Sequence, residues 1–232
     1  MFEFIKYSLQ DYIRSQKYFA PISTYIIIIF VFYTYTPNPI IDSYAVTALI
    51  LFVISAWLCV SFLSLDSTVQ KQIIILRLKS NTRYFVGKLL SIWLVTVVLT
   101  VYAFLYPILF QMFREPVNFT LGFVAILNHM VLAILGISVA SIFSREVIKS
   151  PISAYGGLAL CLTISISALG IYDVLPSIFK NIVWIIPPAI STQSSLMEWS
   201  GTSITQLSIF SFVWIVIYSL LVLLLFLKLS RR

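Results

Sequence analysis

The chain has 232 residues, of which 60% are hydrophobic and 10% charged, and its formal net charge is +7. A soluble globular domain has about 45–50% apolar and about 25% charged residues, so this composition argues against a soluble domain and favours a membrane protein. The two cysteines, Cys59 and Cys161, stand in separate apolar runs, which argues against a disulfide framework and a cysteine-based metal site.

Residues 1–18 predict an amphipathic helix that lies on the membrane surface. At helical spacing, one face is mostly apolar and another carries charged and polar side chains. The first face comprises Phe2, Ile5, Leu9, Tyr12, Ile13 and Gln16, and the second comprises Glu3, Lys6, Gln10, Arg14 and Lys17. Basic residues on such a helix favour contact with anionic lipid headgroups.

Six apolar segments are predicted to cross the membrane as helices. A hydrocarbon core about 30 Å thick requires about 20 residues at about 1.5 Å per residue, and a helix satisfies its own backbone groups in lipid. The segments are residues 19–35, 44–65, 87–112, 119–143, 152–172 and 207–227. The predicted fold class is therefore an all-α membrane protein, with residues 1–232 forming a single transmembrane domain.

The lysine and arginine residues predict the orientation of these helices. With the N-terminus in the cytoplasm, all of the 15 basic residues except Arg114 and Lys180 lie on the cytoplasmic side. We therefore expect a multi-pass protein of the cell membrane with both termini in the cytoplasm. The abundance of Ile and Tyr favours a bacterial source. Because the basic residues are spread over every cytoplasmic connection, we expect contact with membrane lipid and no nucleic-acid partner.

The connection between the second and third segments has the pattern of a helix. Ser67 and Thr68 are candidate N-caps, and Val69, Ile73 and Leu76 follow at helical spacing. This pattern predicts a short helix over 67–80 that docks a soluble partner on the cytoplasmic side. The candidate docking residues are Gln70, Lys71, Gln72, Ile73, Leu76 and Arg77. The alternative is a loop that rests on lipid headgroups.

Residues 173–206 form the longest connection on the predicted outer side. The segment is apolar, but Pro176, Lys180 and the pair 187–188 interrupt it. It is therefore too short and broken to cross the membrane. We expect one or two short helices, re-entrant or interfacial, at a depth that suits Trp184 and Trp199.

The sequence offers little catalytic chemistry. A single histidine excludes multi-histidine metal motifs, the phosphate loop of ATPases is absent, and the eight acidic residues form no obvious pair. We predict no catalytic residue, no metal site and no cofactor in this chain. Asn128 and His129 lie deep in the fourth segment, where polar groups are candidates for function. The alternative for His129 is a neutral imidazole in a hydrogen bond between helices.

The layout as a whole resembles the permease subunits of type-2 ATP-binding-cassette (ABC) exporters. An amphipathic helix comes first, a docking helix lies between the second and third spans, and broken outer helices lie between the fifth and sixth. The stretch "QKQIIILRLKSNTRYFVGKLLSIWL" (70–94) and the stretch "SREVIKSP" (144–151) are similar to the two cytoplasmic connections of that family.

The resemblance implies partners that the chain does not itself contain. A separate cytoplasmic ATPase subunit would hold ATP and Mg²⁺, with residues 67–80 in its groove and Arg145 and Glu146 in a lesser contact. A second permease, identical or related, would complete the pathway. The cargo would be a hydrophobic or amphipathic peptide, lipid-linked molecule or drug, and peptide export or immunity is the favoured group.

Two other classes stay open. A secondary transporter or channel would carry more polar groups at mid-membrane, or spans broken in corresponding halves, and only Asn128 and His129 are of this kind. An intramembrane enzyme or membrane scaffold is the other class. An enzyme would bring a nucleophile and a base together, and the sequence contains no convincing pair.

Overall fold

The computed structural model describes residues 1–197, 199 and 207–230, and these residues form an all-helical fold. Within these ranges there are ten α-helices and a 3₁₀ helix over Ser177–Ile185. The α-helices are α1 Phe2–Arg14, α2 Phe19–Phe32, α3 Ile40–Leu63, α4 Thr68–Leu78, α5 Asn81–Leu109, α6 Phe119–Ile142, α7 Pro151–Ile166, α8 Ala168–Val174, α9 Ser191–Met197 and α10 Ile209–Leu229. The predicted all-α class is confirmed for this part of the chain.

Among the described residues, four helices are long and apolar enough to cross a membrane, namely α3, α5, α6 and α10. Two further pairs qualify if each bent pair counts as one span: α1 with α2, bent by 80°, and α7 with α8, bent by 66°. The fold is thus that of a multi-pass membrane protein with four to six candidate spans. The count of six stays a prediction, because α2 and α7 have only 14 and 16 residues.

The centre of the bundle is the contact between α3 and α6, the two most buried of the four long helices. Gly136 makes this contact close, since a Cβ added there would lie 2.3 Å from the carbonyl oxygen of Phe52 and 2.1 Å from Ser55 Oγ. The small residues in this part of α6 therefore serve packing within the chain. Both α5 and α10 lie further out and expose broad apolar faces.

Helix α1 packs one face against the bundle and leaves another apolar face exposed. Its buried residues are Phe4, Ser8 and Tyr12, while Phe2 and Ile13 are exposed. The reason is aromatic packing onto the bundle, because the Phe4 ring lies 5.7 Å from that of Tyr84 and the Tyr12 ring 4.6 Å from that of Phe62. The helix is therefore apolar on two sides, one packed on protein and one exposed.

The turn between α4 and α5 ends earlier in the chain than predicted, so α5 is longer at its start. Lys79 adopts a left-handed conformation (φ 54°) and ends α4, and the Ser80 side chain accepts a hydrogen bond from the backbone N–H of Arg83. This cap starts α5 at Asn81 rather than near residue 87. The two helices are therefore joined by a two-residue turn.

The long connection after α7 contains short elements. The 3₁₀ helix and α9 lie within it, and residues 198 and 200–206 of the predicted segment lie outside the described residues. Ser165 Oγ donates a 2.6 Å hydrogen bond to the carbonyl of Pro187, and the rings of Trp184 and Trp214 lie 5.1 Å apart. These contacts hold the connection against α7 and α10.

Candidate functional site

The candidate site is α4 and the elements around it, at the end of the bundle where α3 ends and α5 begins. We call this region the α4 end. Ser67 immediately precedes α4, and its side chain accepts a hydrogen bond from the backbone N–H of Gln70, which confirms the predicted cap. The C-terminus of α10 reaches the same end, since Asn81 Nδ2 donates a 2.7 Å hydrogen bond to the Ser230 carbonyl.

The predicted apolar face of α4 is exposed. Val69, Ile73 and Leu76, one turn apart, have 65%, 61% and 76% of their surface accessible. The opposite side of the helix carries other apolar residues, Ile74, Ile75 and Leu78, which pack against the core. The helix is therefore fixed to the bundle by one apolar side and presents a second one outward. We call Val69, Ile73 and Leu76 the α4 stripe.

Lys71 ties α4 to the connection after α6. Its ammonium group forms an ion pair with the Glu146 carboxylate, and both side chains are 22% exposed. The same ammonium lies 4.9 Å from the centre of the Phe85 ring at the start of α5. We call Lys71 and Glu146 the outer pair.

Gln70 ties α4 to α1. Its Nε2 donates a 2.9 Å hydrogen bond to the Tyr7 hydroxyl and a longer one, 3.4 Å, to Asp11 Oδ2. Beside these bonds, a groove of about 800 Å³ separates the two helices, and Glu3, Val69 and Ile73 are among its lining residues. Val69 and Ile73 of the α4 stripe therefore line an open groove, whereas Leu76 does not line it.

The structure divides the predicted docking residues into two groups. Gln70, Lys71 and Glu146 make contacts inside the chain. The exposed group comprises Gln72, Ile73, Leu76, Arg77 and Arg145. The first group positions the helix, and the second is available to another molecule.

A second ion pair lies deeper, between Asp66 and Lys88, and we call it the inner pair. Lys88 Nζ lies 2.8 Å from Asp66 Oδ1, and each side chain is only 1% exposed. The Tyr84 hydroxyl donates to the other carboxylate oxygen, and the Phe62 ring centre lies 5.1 Å from the ammonium.

Sequence reasoning missed the inner pair. Tyr84 and Lys88 are spaced i, i+4 and therefore share one face of α5. That spacing, together with the carboxylate of Asp66 in the preceding connection, is the feature of the sequence that could have indicated the inner pair.

The two polar residues of the fourth segment differ in their surroundings. His129 is buried in α6, its Nδ1 lies 2.8 Å from the Ala125 carbonyl, and its Nε2 lies 3.0 Å from Thr47 Oγ1 of α3. Because a carbonyl oxygen only accepts, Nδ1 carries a proton. The ring thus links two helices through a satisfied hydrogen bond, the arrangement expected of a structural histidine.

Asn128 is also buried, but both polar atoms of its amide have no hydrogen-bond partner among the described residues. The amide lines a small cavity together with Tyr44, Leu196 and Trp199. Each unpartnered buried polar group lowers the stability of the fold by about 1–3 kcal/mol. Packing alone therefore gives no reason for an amide at this position.

The described residues contain no group of three or more His, Cys, Asp or Glu side chains that could hold a metal ion. What the α4 end offers is an exposed apolar helix face with basic neighbours, held by hydrogen bonds and ion pairs. Such an arrangement is suited to binding a macromolecule. Comparisons with protein-family models, curated proteins and solved structures find no match to this chain.

Proposed function

We propose that this chain is the membrane permease subunit of an ABC transporter and that the α4 stripe docks a separate cytoplasmic ATPase. The observation that carries the proposal is the exposure of Val69, Ile73 and Leu76 on a helix that is otherwise fixed to the bundle. Apolar residues at i, i+4 and i+7 are the anchors by which a helix binds the groove of a partner.

The rigidity of α4 supports a docking role. The helix is capped at Ser67, ends at Lys79, and is held laterally by the outer pair and by Gln70. Binding a preorganised helix requires little further ordering of the chain, so more of the contact energy is available for affinity. A loop that merely rested on headgroups would not require these contacts.

The distribution of charge supports a cytoplasmic α4 end. The exposed basic residues around α4 include Arg77, Lys79 and Arg83. Arg114 lies at the other end of α5, where its backbone N–H donates to the Asn38 carbonyl. By the positive-inside rule, the α4 end then faces the cytoplasm, both termini lie there, and the chain belongs to the cell membrane, which we propose is bacterial.

The proposed mechanism is mechanical. The ATPase subunits bind ATP and Mg²⁺, close on each other and displace α4, and hydrolysis resets them. The ATPase shifts the permease between two states only if its contacts with α4 differ between those states. A second permease, identical or related, completes the pathway, and the apolar helices favour a hydrophobic or amphipathic cargo.

The test is co-purification of the tagged full-length chain with the phosphate-loop ATPase encoded by a neighbouring gene. We expect Ile73→Asp to reduce the recovered ATPase at least tenfold, because the change places a charge in the contact. Ile73→Leu is the matched control and should leave recovery within twofold. Unchanged recovery with Ile73→Asp and Leu76→Asp combined would overturn the proposed docking.

A separate experiment tests on which side of the membrane α4 lies. A cysteine at Gln72, in a chain whose Cys59 and Cys161 are replaced, should react with a membrane-impermeant maleimide only after the cells are opened. Labelling in intact cells would place α4 outside and end the proposal, as would the absence of any phosphate-loop ATPase among the neighbouring genes.

A further inference from the structure

The inner pair lies at the base of α4, at the point where this helix leaves the bundle. Asp66 immediately precedes the capping residue Ser67, in the short connection from α3 to α4. Its two carboxylate oxygens are held by residues one turn apart on α5, Oδ1 by the Lys88 ammonium and Oδ2 by the Tyr84 hydroxyl. With both oxygens held, the connection has little freedom to pivot against α5.

We infer that Asp66 and Lys88 are positioning residues that fasten the base of α4 to α5, so that a displacement of α4 is passed to α5. The inference rests on the proposed docking of an ATPase at α4, and it names the route by which that docking would act. It concerns transmission within the chain and not the contact with the partner.

The two ion pairs differ in how firmly they hold. The inner pair is 1% exposed on each side and the outer pair 22%. An ammonium and a carboxylate that share a buried site are not readily separated, because each would be left as an uncompensated charge in a medium of low dielectric constant. A pair in contact with water gains little from staying closed and is weakened by salt. A load on α4 should therefore open the outer pair and leave the inner pair closed.

The geometry of α5 allows this helix to transmit a displacement of α4. Lys88 lies seven residues after Asn81, two turns into the helix and beyond the end that frays. From there, α5 continues to Leu109 as a single helix. A tilt imposed near Lys88 is therefore carried along the length of the helix to the opposite end of the bundle.

The first experiment uses the full-length chain alone, in lipid nanodiscs, with spin labels on α4 at Gln72 and on α5 at Val98. The test variant is Asp66→Asn/Lys88→Met, which removes both charges at similar volume. We expect its distance distribution to be at least twice as wide as that of the parent. The matched control, Lys71→Met/Glu146→Gln in the outer pair, should change the width less. An unchanged width in the test variant would overturn the inference.

The second experiment adds the ATPase and moves the labels to Val98 and to Ile126 on α6. We expect a nucleotide-dependent change of distance in the parent and in the outer-pair control, and its loss in Asp66→Asn/Lys88→Met. The ATPase is added at a concentration that saturates binding to each of the three proteins, because the outer pair also holds α4 in its docking position. Lys88→Arg keeps the positive charge and should retain the nucleotide-dependent distance change. This variant distinguishes the loss of the ion pair from a general effect of substitution on folding.

The two hypotheses fail in different ways. If the ATPase binds and the change persists in Asp66→Asn/Lys88→Met, the inference is wrong and the proposed function stands. If the parent does not bind the ATPase, the proposed function is wrong, and the distance widths in the chain alone still decide whether Asp66 and Lys88 fasten α4 to α5.

Discussion

Lys88 Nζ lies 2.8 Å from Asp66 Oδ1, and the two side chains are among the most buried charged groups of a chain that is 60% hydrophobic. A third residue, Tyr84, donates to the same carboxylate. The site thus joins the end of α3, the start of α4 and the first turns of α5. A displacement of α4, as proposed for the docked ATPase, would act on this site.

Removing one member of the inner pair should destabilise the protein strongly. We expect Lys88→Met or Asp66→Asn alone to lower the free energy of unfolding by about 3–5 kcal/mol, because the remaining group is left buried and unpaired. The double variant should recover most of this loss, since it leaves no unpaired charge. Denaturant unfolding of the purified chain in detergent measures all three. Additive losses in the double variant would show that the two residues do not act as a pair.

Breaking the outer pair should have a much smaller effect. Lys71→Glu places a carboxylate beside Glu146, and we expect a loss of about 1 kcal/mol or less, because both groups are partly in contact with water. The exchanged variant, Lys71→Glu/Glu146→Lys, should restore the parent stability, and high salt should reduce the difference between variants. A loss as large as that for Asp66→Asn would contradict the difference that we infer between the two pairs.

The close contact of α3 and α6 predicts a difference between two glycines. Gly136→Ala would bring a methyl group within 2.3 Å of the Phe52 carbonyl oxygen, so the helices must separate, and we expect a loss of about 1–3 kcal/mol. Gly156 in α7 has no heavy atom within 4 Å of the position of an added Cβ. Gly156→Ala should therefore be neutral or stabilise α7 by up to about 1 kcal/mol. Thermal unfolding of the two variants checks the comparison.

Substitution by leucine at each of the two polar residues in α6 should change the free energy of unfolding in opposite directions. Asn128→Leu removes an unpartnered amide and should raise the free energy of unfolding by about 1 kcal/mol if packing is the only role of the site. His129→Leu removes a hydrogen bond to Thr47, and the expected loss is about 0.6 kcal/mol. Thermal unfolding measures both. The Asn128→Leu variant could be stable and still bind the ATPase, yet lose the nucleotide-dependent distance change. That result would show that Asn128 takes part in the conformational change.

The two apolar sides of α4 should also differ. Ile73 is exposed and Ile74 packs against the core. In the chain alone, Ile73→Asp should leave stability within about 0.5 kcal/mol of the parent, whereas Ile74→Asp should lower it by more than 2 kcal/mol, because it buries a charge. Equal effects would mean that the stripe is covered by the chain itself.

Several elements could be predicted from the sequence because their causes are local. The prediction of 119–143 corresponds to α6 at Phe119–Ile142, where the Asn118 side chain caps the first turn. The short helix after the second segment was predicted from Ser67 and from the repeat of apolar residues. Composition alone indicated the membrane class.

Other features depend on residues far apart in the chain. Sequence reasoning named Lys71 and Glu146 as docking residues in two separate connections and did not predict that they pair with each other. It also did not predict which face of α1 packs against the bundle. Periodicity shows which residues share a helix face, but this helix has apolar residues on two sides, and only the aromatic rings on α3 and α5 decide which one is packed.

The sequence by itself determined where helices form, which segments are apolar enough for a membrane, and that α4 carries apolar residues at helical spacing. These properties follow from hydrophobicity and backbone capping within a few residues. Only the tertiary structure decided that Asp66 pairs with Lys88 in the interior and that Val69, Ile73 and Leu76 are exposed. The reason is that charge pairing and burial depend on distances between helices, which the order of residues along one helix does not set.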